Sequence, residues 1–125
     1  MNIVEVQAGN IKQWVADLLK AGKFILLSTI SGYQEGENIC ILYHFLTKDG
    51  EQDVKVSIPL SNPKIDSISP VLIGAVLYER EIQDLLGVAF DGIVDGRRLI
   101  LPEQWPEGVY PLRKEYPATR PEEAK

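Results

Sequence analysis

Four charged residues crowd into the six positions 79–84, EREIQD. Three of them, Glu79, Glu81 and Asp84, are carboxylates, the residue type that general acid–base catalysis uses. Together with Arg97 as an anion clamp, they define one hypothesis, a free-standing small enzyme. Nothing near them supplies a nucleophile, a metal site or a phosphate-binding glycine loop. The other two interpretations are a solvated helix end with local ion pairs and an interface with charges on a partner.

The other reactive residue types are scarce, with one cysteine, Cys40, and one histidine, His44. Both occupy alternate positions of one predicted strand and therefore share a face. A single His–Cys pair cannot complete a zinc site, and one cysteine excludes a disulfide or a cysteine-ligated cluster. We interpret Cys40 as a small buried hydrophobe and His44 as a hydrogen-bonded core or edge residue.

Length and composition predict a single soluble domain, since the 125 residues are 45% hydrophobic and 25% charged. The longest apolar run, at 70–78, is less than half of what a bilayer span needs. The N-terminus has no signal-peptide pattern, so we expect a cytoplasmic protein. The net charge of −5 argues against a general nucleic-acid binder. Residues 1–96 carry a net −6 and residues 97–120 a net +2, an acidic body with a basic tail.

Hydrophobic periodicity predicts an α+β fold. Asp49-Gly50 is a hairpin signal, and the composition of residues 31–38 predicts a loop. We predict a three- to four-stranded, mainly antiparallel sheet with two main helices in a domain at 1–101, followed by an extended partner-binding tail at 102–125. The predicted elements are helices at 10–21 and about 70–86 and strands at 24–30, 38–47 and 54–60.

The second predicted helix is apolar on two opposite sides. A core-facing stripe is expected on one side, made of Val71, Ala75, Tyr78, Ile82, Leu85 and Leu86. The opposite side presents Ile73, Val76 and Leu77 and continues with Arg80 and Asp84. Because so small a domain has little chain left to cover both sides, we predict that a partner covers the second one.

The C-terminal segment is rich in proline, aromatic residues and arginine, and it offers no helical or strand period. Such a segment gains order only from contacts, and its residue types are those that anchor interfaces. The complete predicted partner interface is Ile73, Leu77, Arg80, Asp84, Arg97, Arg98, Trp105, Tyr110, Leu112, Arg113, Lys114 and Tyr116.

The runs EREIQDLLGVAFDG, RRLILPEQW and PLRKEYP resemble the 30-kilodalton subunit family of respiratory complex I. That family includes the matching subunit of membrane-bound energy-converting nickel–iron hydrogenases. Ile93 stands where the family usually has histidine, and Gln83 where it often has an aromatic residue. These departures and the short chain favour an energy-converting hydrogenase or a related archaeal-type complex over a bacterial NADH dehydrogenase.

The resemblance implies a non-catalytic, cofactor-free structural subunit. Such a subunit docks on the hydrogenase-like large subunit, near the small iron–sulfur subunit, and supports electron transfer coupled to ion translocation. The nickel–iron centre, iron–sulfur clusters or quinone are then expected in the partner subunits. The location implied is peripheral, on the inner face of the cell membrane, with membrane contact only through the complex.

Overall fold

The structure is a computed structural model that describes residues 2–94. The sequence of elements begins at an N-terminal strand and ends at a short strand after the second helix. The elements are β1 Asn2–Glu5, α1 Ile11–Lys20, β2 Phe24–Glu35, β3 Asn38–Thr47, β4 Gly50–Pro59, β5 Lys64–Asp66, a 3-10 turn at Ile73–Ala75, α2 Val76–Leu86 and β6 Ala89–Asp91.

The main sheet has the strand order β1-β4-β3-β2. Two hairpins make β2, β3 and β4 antiparallel, while β1 runs parallel to β4 along the edge. A second, small sheet pairs β5 with β6 in parallel. The α+β prediction with a four-stranded, mainly antiparallel sheet is therefore confirmed.

Strand β3 matches its predicted limits at both ends, because its apolar residues occupy both alternating faces of a central strand. Helix α1 lies within its predicted range and is followed by Gly22, whose φ of 71° suits a left-handed residue after a helix. The hairpin predicted from Asp49-Gly50 is present, with Lys48 and Asp49 as its turn residues and Thr47 paired with Gly50. Local periodicity thus located the helix and the strand, and turn composition located the hairpin to within one residue.

The predicted loop at 31–38 is wrong over its first five residues. Ser31–Glu35 extends β2 and pairs with β3, so that only Gly36 and Glu37 form the turn. Gly36 has a φ of 60°, which a glycine adopts without strain. Polar residues and glycine have a low propensity for strands. The backbone hydrogen bonds that this segment makes with the central strand outweigh that low propensity.

The second helix begins later than predicted. The N–H groups of Val71 and Leu72 both donate to the carbonyl of Ile68, at 3.1 and 2.8 Å, so the chain turns here before the helix starts. The α-helix proper ends before Gly87, whose φ is 73°, as predicted. The strands β1, β5 and β6 were not predicted, since three or four residues carry too little periodicity to detect.

The core lies on one face of the main sheet, and both helices pack there. Trp14 of α1 contacts Phe45 of β3, with ring centroids 5.7 Å apart. Ile82 and Leu86 of α2 lie against Gly32 of β2. Side chains of the intervening positions point to the opposite face of the sheet, which neither helix covers.

Gly32 sets how closely α2 approaches the sheet. A Cβ at this position would lie 2.7 Å from Leu86 Cδ1 and 3.3 Å from Ile82 Cδ1. We therefore expect Gly32→Ala to destabilise the fold by about 1–3 kcal/mol through overpacking. Urea denaturation measures this change, with Gly9→Ala as the control because a Cβ on Gly9 meets no atom within 4 Å. Equal stabilities of the two variants would contradict the close approach.

Candidate functional site

An exposed apolar patch marks the start of α2. The side chains of Ile73 and Leu77 are 63% and 52% exposed, and Gly74 between them is also exposed. Ile73 lies in the 3-10 turn that leads into α2, and Leu77 lies in the first turn of α2 itself. We call these two residues the Ile73–Leu77 patch. Its two side chains are the most exposed of the predicted interface within residues 2–94.

Arg80 and Asp84 occupy different environments from that patch. Arg80 is half-buried, and Asp84 is only 4% exposed although it follows Leu77 by two helical turns. Both residues already take part in interactions within the chain. The apolar side open to solvent is therefore confined to the beginning of the helix.

Glu79, the first residue of the charged run, is fully buried. The Ser67 hydroxyl donates to its Oε1 at 2.6 Å, and the Ile68 N–H donates to its Oε2 at 2.8 Å. Both carboxylate oxygens thus hold the segment that precedes α2. Glu79 lies on the same side of the helix as the buried Ala75 and Ile82, so a carboxylate occupies a position that the periodicity assigns to the core.

The hydrogen bonds continue from Glu79 to Val94, three residues beyond β6. Because Ser67 gives its only hydroxyl proton to Glu79, the Ser69 hydroxyl must donate across the 2.7 Å that separates the two serine oxygens. Ser69 Oγ in turn accepts the N–H of Val94 at 3.1 Å. We call Glu79, Ser67 and Ser69 the Glu79 latch; it connects α2 to the segment that follows β6.

Burial raises the pKa of Glu79, and the hydrogen bonds from Ser67, Ile68 and Ser69 lower it only in part. The charge of this carboxylate also raises the pKa of Tyr43, after the larger effect of burial on that phenol. Glu81, two positions along the helix, is exposed. The three acidic residues of the run therefore do not converge on one accessible site.

Eight residues of the predicted interface lie outside the described residues, and so does the predicted boundary between residues 101 and 102. They are Arg97, Arg98, Trp105, Tyr110, Leu112, Arg113, Lys114 and Tyr116.

Sequence reasoning missed one polar cluster, on the sheet face that the helices leave open. His44 Nδ1 lies 3.0 Å from Asp53 Oδ1, and His44 Nε2 lies 3.0 Å from Ser31 Oγ. The prediction of a hydrogen-bonded histidine is confirmed, and Cys40 is buried as expected. Only the strand register brings Ser31 and Asp53 to His44, so no local spacing in the sequence indicates the cluster.

Residues 4–122 match the family model described as respiratory-chain NADH dehydrogenase, 30 Kd subunit. The chain belongs to that family. The match spans nearly the whole sequence, and it confirms the resemblance carried by the charged run and the two later motifs. The family model thus covers nearly all of the described residues and most of the residues that follow them.

Curated relatives of this 30 Kd family member include larger proteins of two kinds. The C/D subunit of NADH-quinone oxidoreductase from Methylococcus capsulatus is 41% identical over 80 residues, 62% of this chain and 13% of that protein. Formate hydrogenlyase subunit 5 of Escherichia coli is 42% identical over 62 residues, 50% of this chain and 11% of that protein. The chain therefore spans only a small part of the length of these relatives.

The fold is also similar to a solved membrane assembly. A chain in the structure of the membrane-bound sulfane sulfur reductase, an archaeal respiratory membrane complex, superimposes with a TM-score of 0.73 and 25% identity. The superposition covers 94% of this chain and 74% of that chain. Among residues 2–94, no helix is long and apolar enough to cross a bilayer.

Proposed function

We propose that this 30 Kd family member is a structural subunit of a complex I-like membrane oxidoreductase, cofactor-free and non-catalytic in the electron transfer of that complex. It docks on the hydrogenase-like large subunit through the Ile73–Leu77 patch. The observation that carries the proposal is the exposure of two large apolar side chains at the start of α2, a helix that packs on the sheet through Ile82 and Leu86. Large apolar side chains that stay in water on one side of a packed helix indicate a contact surface.

The patch is too small to hold a partner alone, since stable interfaces bury roughly 1,200–2,000 Å² in total. We propose that Arg80 at the edge of the patch adds to the contact. The aromatic and basic residues of the segment from Arg97 to Tyr116 extend it further. Tyrosine, tryptophan and arginine are the residue types that contribute most to binding energy in interfaces.

The names of the relatives support a place in an electron-transferring complex. One belongs to an NADH-quinone oxidoreductase, another to a formate hydrogenlyase, and a third to a respiratory membrane complex. We propose a peripheral location on the inner face of the cell membrane, beside the small iron–sulfur subunit. The nickel–iron centre, iron–sulfur clusters or quinone belong to the partner subunits, and this chain supports their coupling to ion translocation.

The competing hypothesis, a small enzyme that uses Glu79, Glu81 and Asp84 with Arg97, has little geometric support. Both oxygens of Glu79 are engaged inside the protein, and Asp84 is buried as well. Glu81 is the one carboxylate of the three that a solute can reach. A single exposed glutamate does not form an acid–base pair.

Affinity purification of the tagged chain from detergent-solubilised native membranes tests the proposal. Mass spectrometry is expected to find a hydrogenase-like large subunit and a small iron–sulfur subunit in the eluate. The separately purified chain is expected to lack visible absorbance and to contain no stoichiometric iron, nickel, zinc or flavin. Recovery of the chain alone would contradict docking, whereas one metal or flavin per purified chain would contradict the cofactor-free role.

A further inference from the structure

Ser31, His44 and Asp53 form a continuous hydrogen-bonded row across three neighbouring strands. Ser31 lies on β2, His44 on β3 and Asp53 on β4, and the row lies on the sheet face opposite to the helices. Both hydrogen bonds measure 3.0 Å. The row is therefore separate from the Ile73–Leu77 patch, which lies on the helix-bearing side.

The acceptor and donor capacities of the three side chains determine where the protons lie. An ionised Asp53 carboxylate can only accept, so a neutral His44 carries its proton on Nδ1 and donates it to Asp53. His44 Nε2 then has a free lone pair, and the Ser31 hydroxyl donates to it. This order of nucleophile, base and orienting carboxylate is the one that activates serine in acyl-transfer enzymes.

Exposure along the row decreases from the histidine to the carboxylate. The His44 side chain is 30% exposed and that of Asp53 is 13% exposed, while Ser31 is half-buried. A small solute can therefore reach the serine and the imidazole. Leu42 pairs with Ser31 on the same face and is half-buried. Its side chain offers an apolar surface for a short acyl chain.

We propose that Ser31 is a nucleophile for acyl transfer from carboxylic esters that have a good leaving group. Ser31 Oγ attacks the ester carbonyl as His44 Nε2 takes the hydroxyl proton, and the alcohol leaves with that proton. Water then attacks the acyl-serine, gives its proton to His44, and the carboxylic acid leaves as the serine hydroxyl is restored. Asp53 is the positioning residue that keeps the accepting lone pair on Nε2.

The position of Ser31 restricts the substrate class to activated esters. It lies in the interior of a strand, not at a helix N-terminus whose amides could receive the developing oxyanion. In enzymes that have an oxyanion hole, one donor contributes about 10²–10³-fold in rate. Esters with poor leaving groups depend on that stabilisation, whereas 4-nitrophenyl esters depend on it less.

The test is acetylation of the full chain by 4-nitrophenyl acetate, with peptide mass spectrometry to locate the acetyl group. We expect Ser31 to be acetylated and Ser31→Ala to remove that acetylation. His44→Gln is expected to slow it by about 10²–10⁴-fold, the usual contribution of a general base. The control is Ser57→Ala, an exposed serine on the same face, which should leave the rate unchanged. Acetylation on His44 alone, or equally on Ser57 and Ser31, overturns the proposal.

Asp53→Asn separates positioning from mere structural support. His44 is the only histidine among the 125 residues, so nitrogen NMR of a ring-labelled protein reports its tautomer without ambiguity. We expect the Nδ1-protonated form in the native chain at alkaline pH. In the variant the new side-chain amide can donate to Nδ1, which favours the Nε2-protonated form and suppresses Ser31 acetylation. An unchanged tautomer with an unchanged acetylation rate overturns the assignment of Asp53, and this result leaves the docking proposal untouched.

Discussion

Replacing Glu79 with alanine is expected to lower the free energy of unfolding by about 3–5 kcal/mol. Two effects add. The first is the unsatisfied Ile68 N–H, since that group is buried and donates to Glu79 Oε2 in the native chain. The second is the cavity left where a fully buried side chain is removed. Such a loss is a large fraction of the roughly 5–15 kcal/mol that stabilises an ordinary domain.

The matched control for this experiment is Glu81→Ala. Glu81 has the same chemistry and lies two positions along the same helix, but its side chain is exposed. Surface substitutions of this kind usually change stability by no more than about 0.5 kcal/mol. Urea denaturation of both variants measures the difference, and similar losses in the two would show that the Glu79 latch contributes little.

The pH dependence of stability is a second test of the burial of Glu79. Burial raises its pKa in the folded chain, so the folded state holds the proton more tightly than the unfolded state. The contribution of Glu79 to stability is therefore greatest in acid and decreases as the pH rises through the raised pKa. Glu79→Gln should remove this decrease, whereas Glu81→Gln should keep it. If the free energy of unfolding changes with pH equally in the two variants, Glu79 is exposed to solvent rather than buried.

The second large effect concerns assembly. We expect Leu77→Glu to weaken binding to the large subunit by at least about 100-fold, because a buried, unpaired carboxylate costs several kcal/mol. The fold itself should tolerate the change, since the Leu77 side chain is 52% exposed in the isolated chain. Binding measured by surface plasmon resonance and a thermal melt separate the two effects.

A leucine on the other side of the molecule provides the control. Leu26 is 44% exposed and lies on the open face of the sheet, opposite to the helices. Leu26→Glu introduces the same charge at a similar exposure, and we expect it to bind the partner as the native chain does. If Leu26→Glu weakens binding and Leu77→Glu does not, the interface is on the sheet face.

Elements with strong local periodicity could be predicted from the sequence. Elements that form only by pairing with a distant segment of the chain could not. Helix α1 and strand β3 each carry a complete repeat of apolar positions, so their limits follow from local pattern. The composition of Ser31–Glu35 is typical of a loop. These residues form a strand only because their backbone hydrogen-bonds to β3. The short β1 likewise depends on its neighbour β4.

The candidate site was predictable in part for the same reason. Ile73 and Leu77 were assigned to the exposed side of the helix by angle alone, and that assignment requires no tertiary information. Glu79 could not be recognised as buried, because its partners Ser67 and Ile68 lie in the connector after β5, and no local pattern relates that connector to the helix. Ser31, His44 and Asp53 meet only through the register of three strands.

Site-specific photo-crosslinking in the assembled complex tests the docking of this protein most directly. A photoreactive amino acid replaces Leu77 in one protein and Leu26 in a control, and each complex is irradiated in native membranes. The proposal predicts a crosslink from position 77 to the hydrogenase-like large subunit and none to that subunit from position 26. A crosslink to the large subunit from position 26 alone, or no crosslink from position 77, would contradict docking through the Ile73–Leu77 patch.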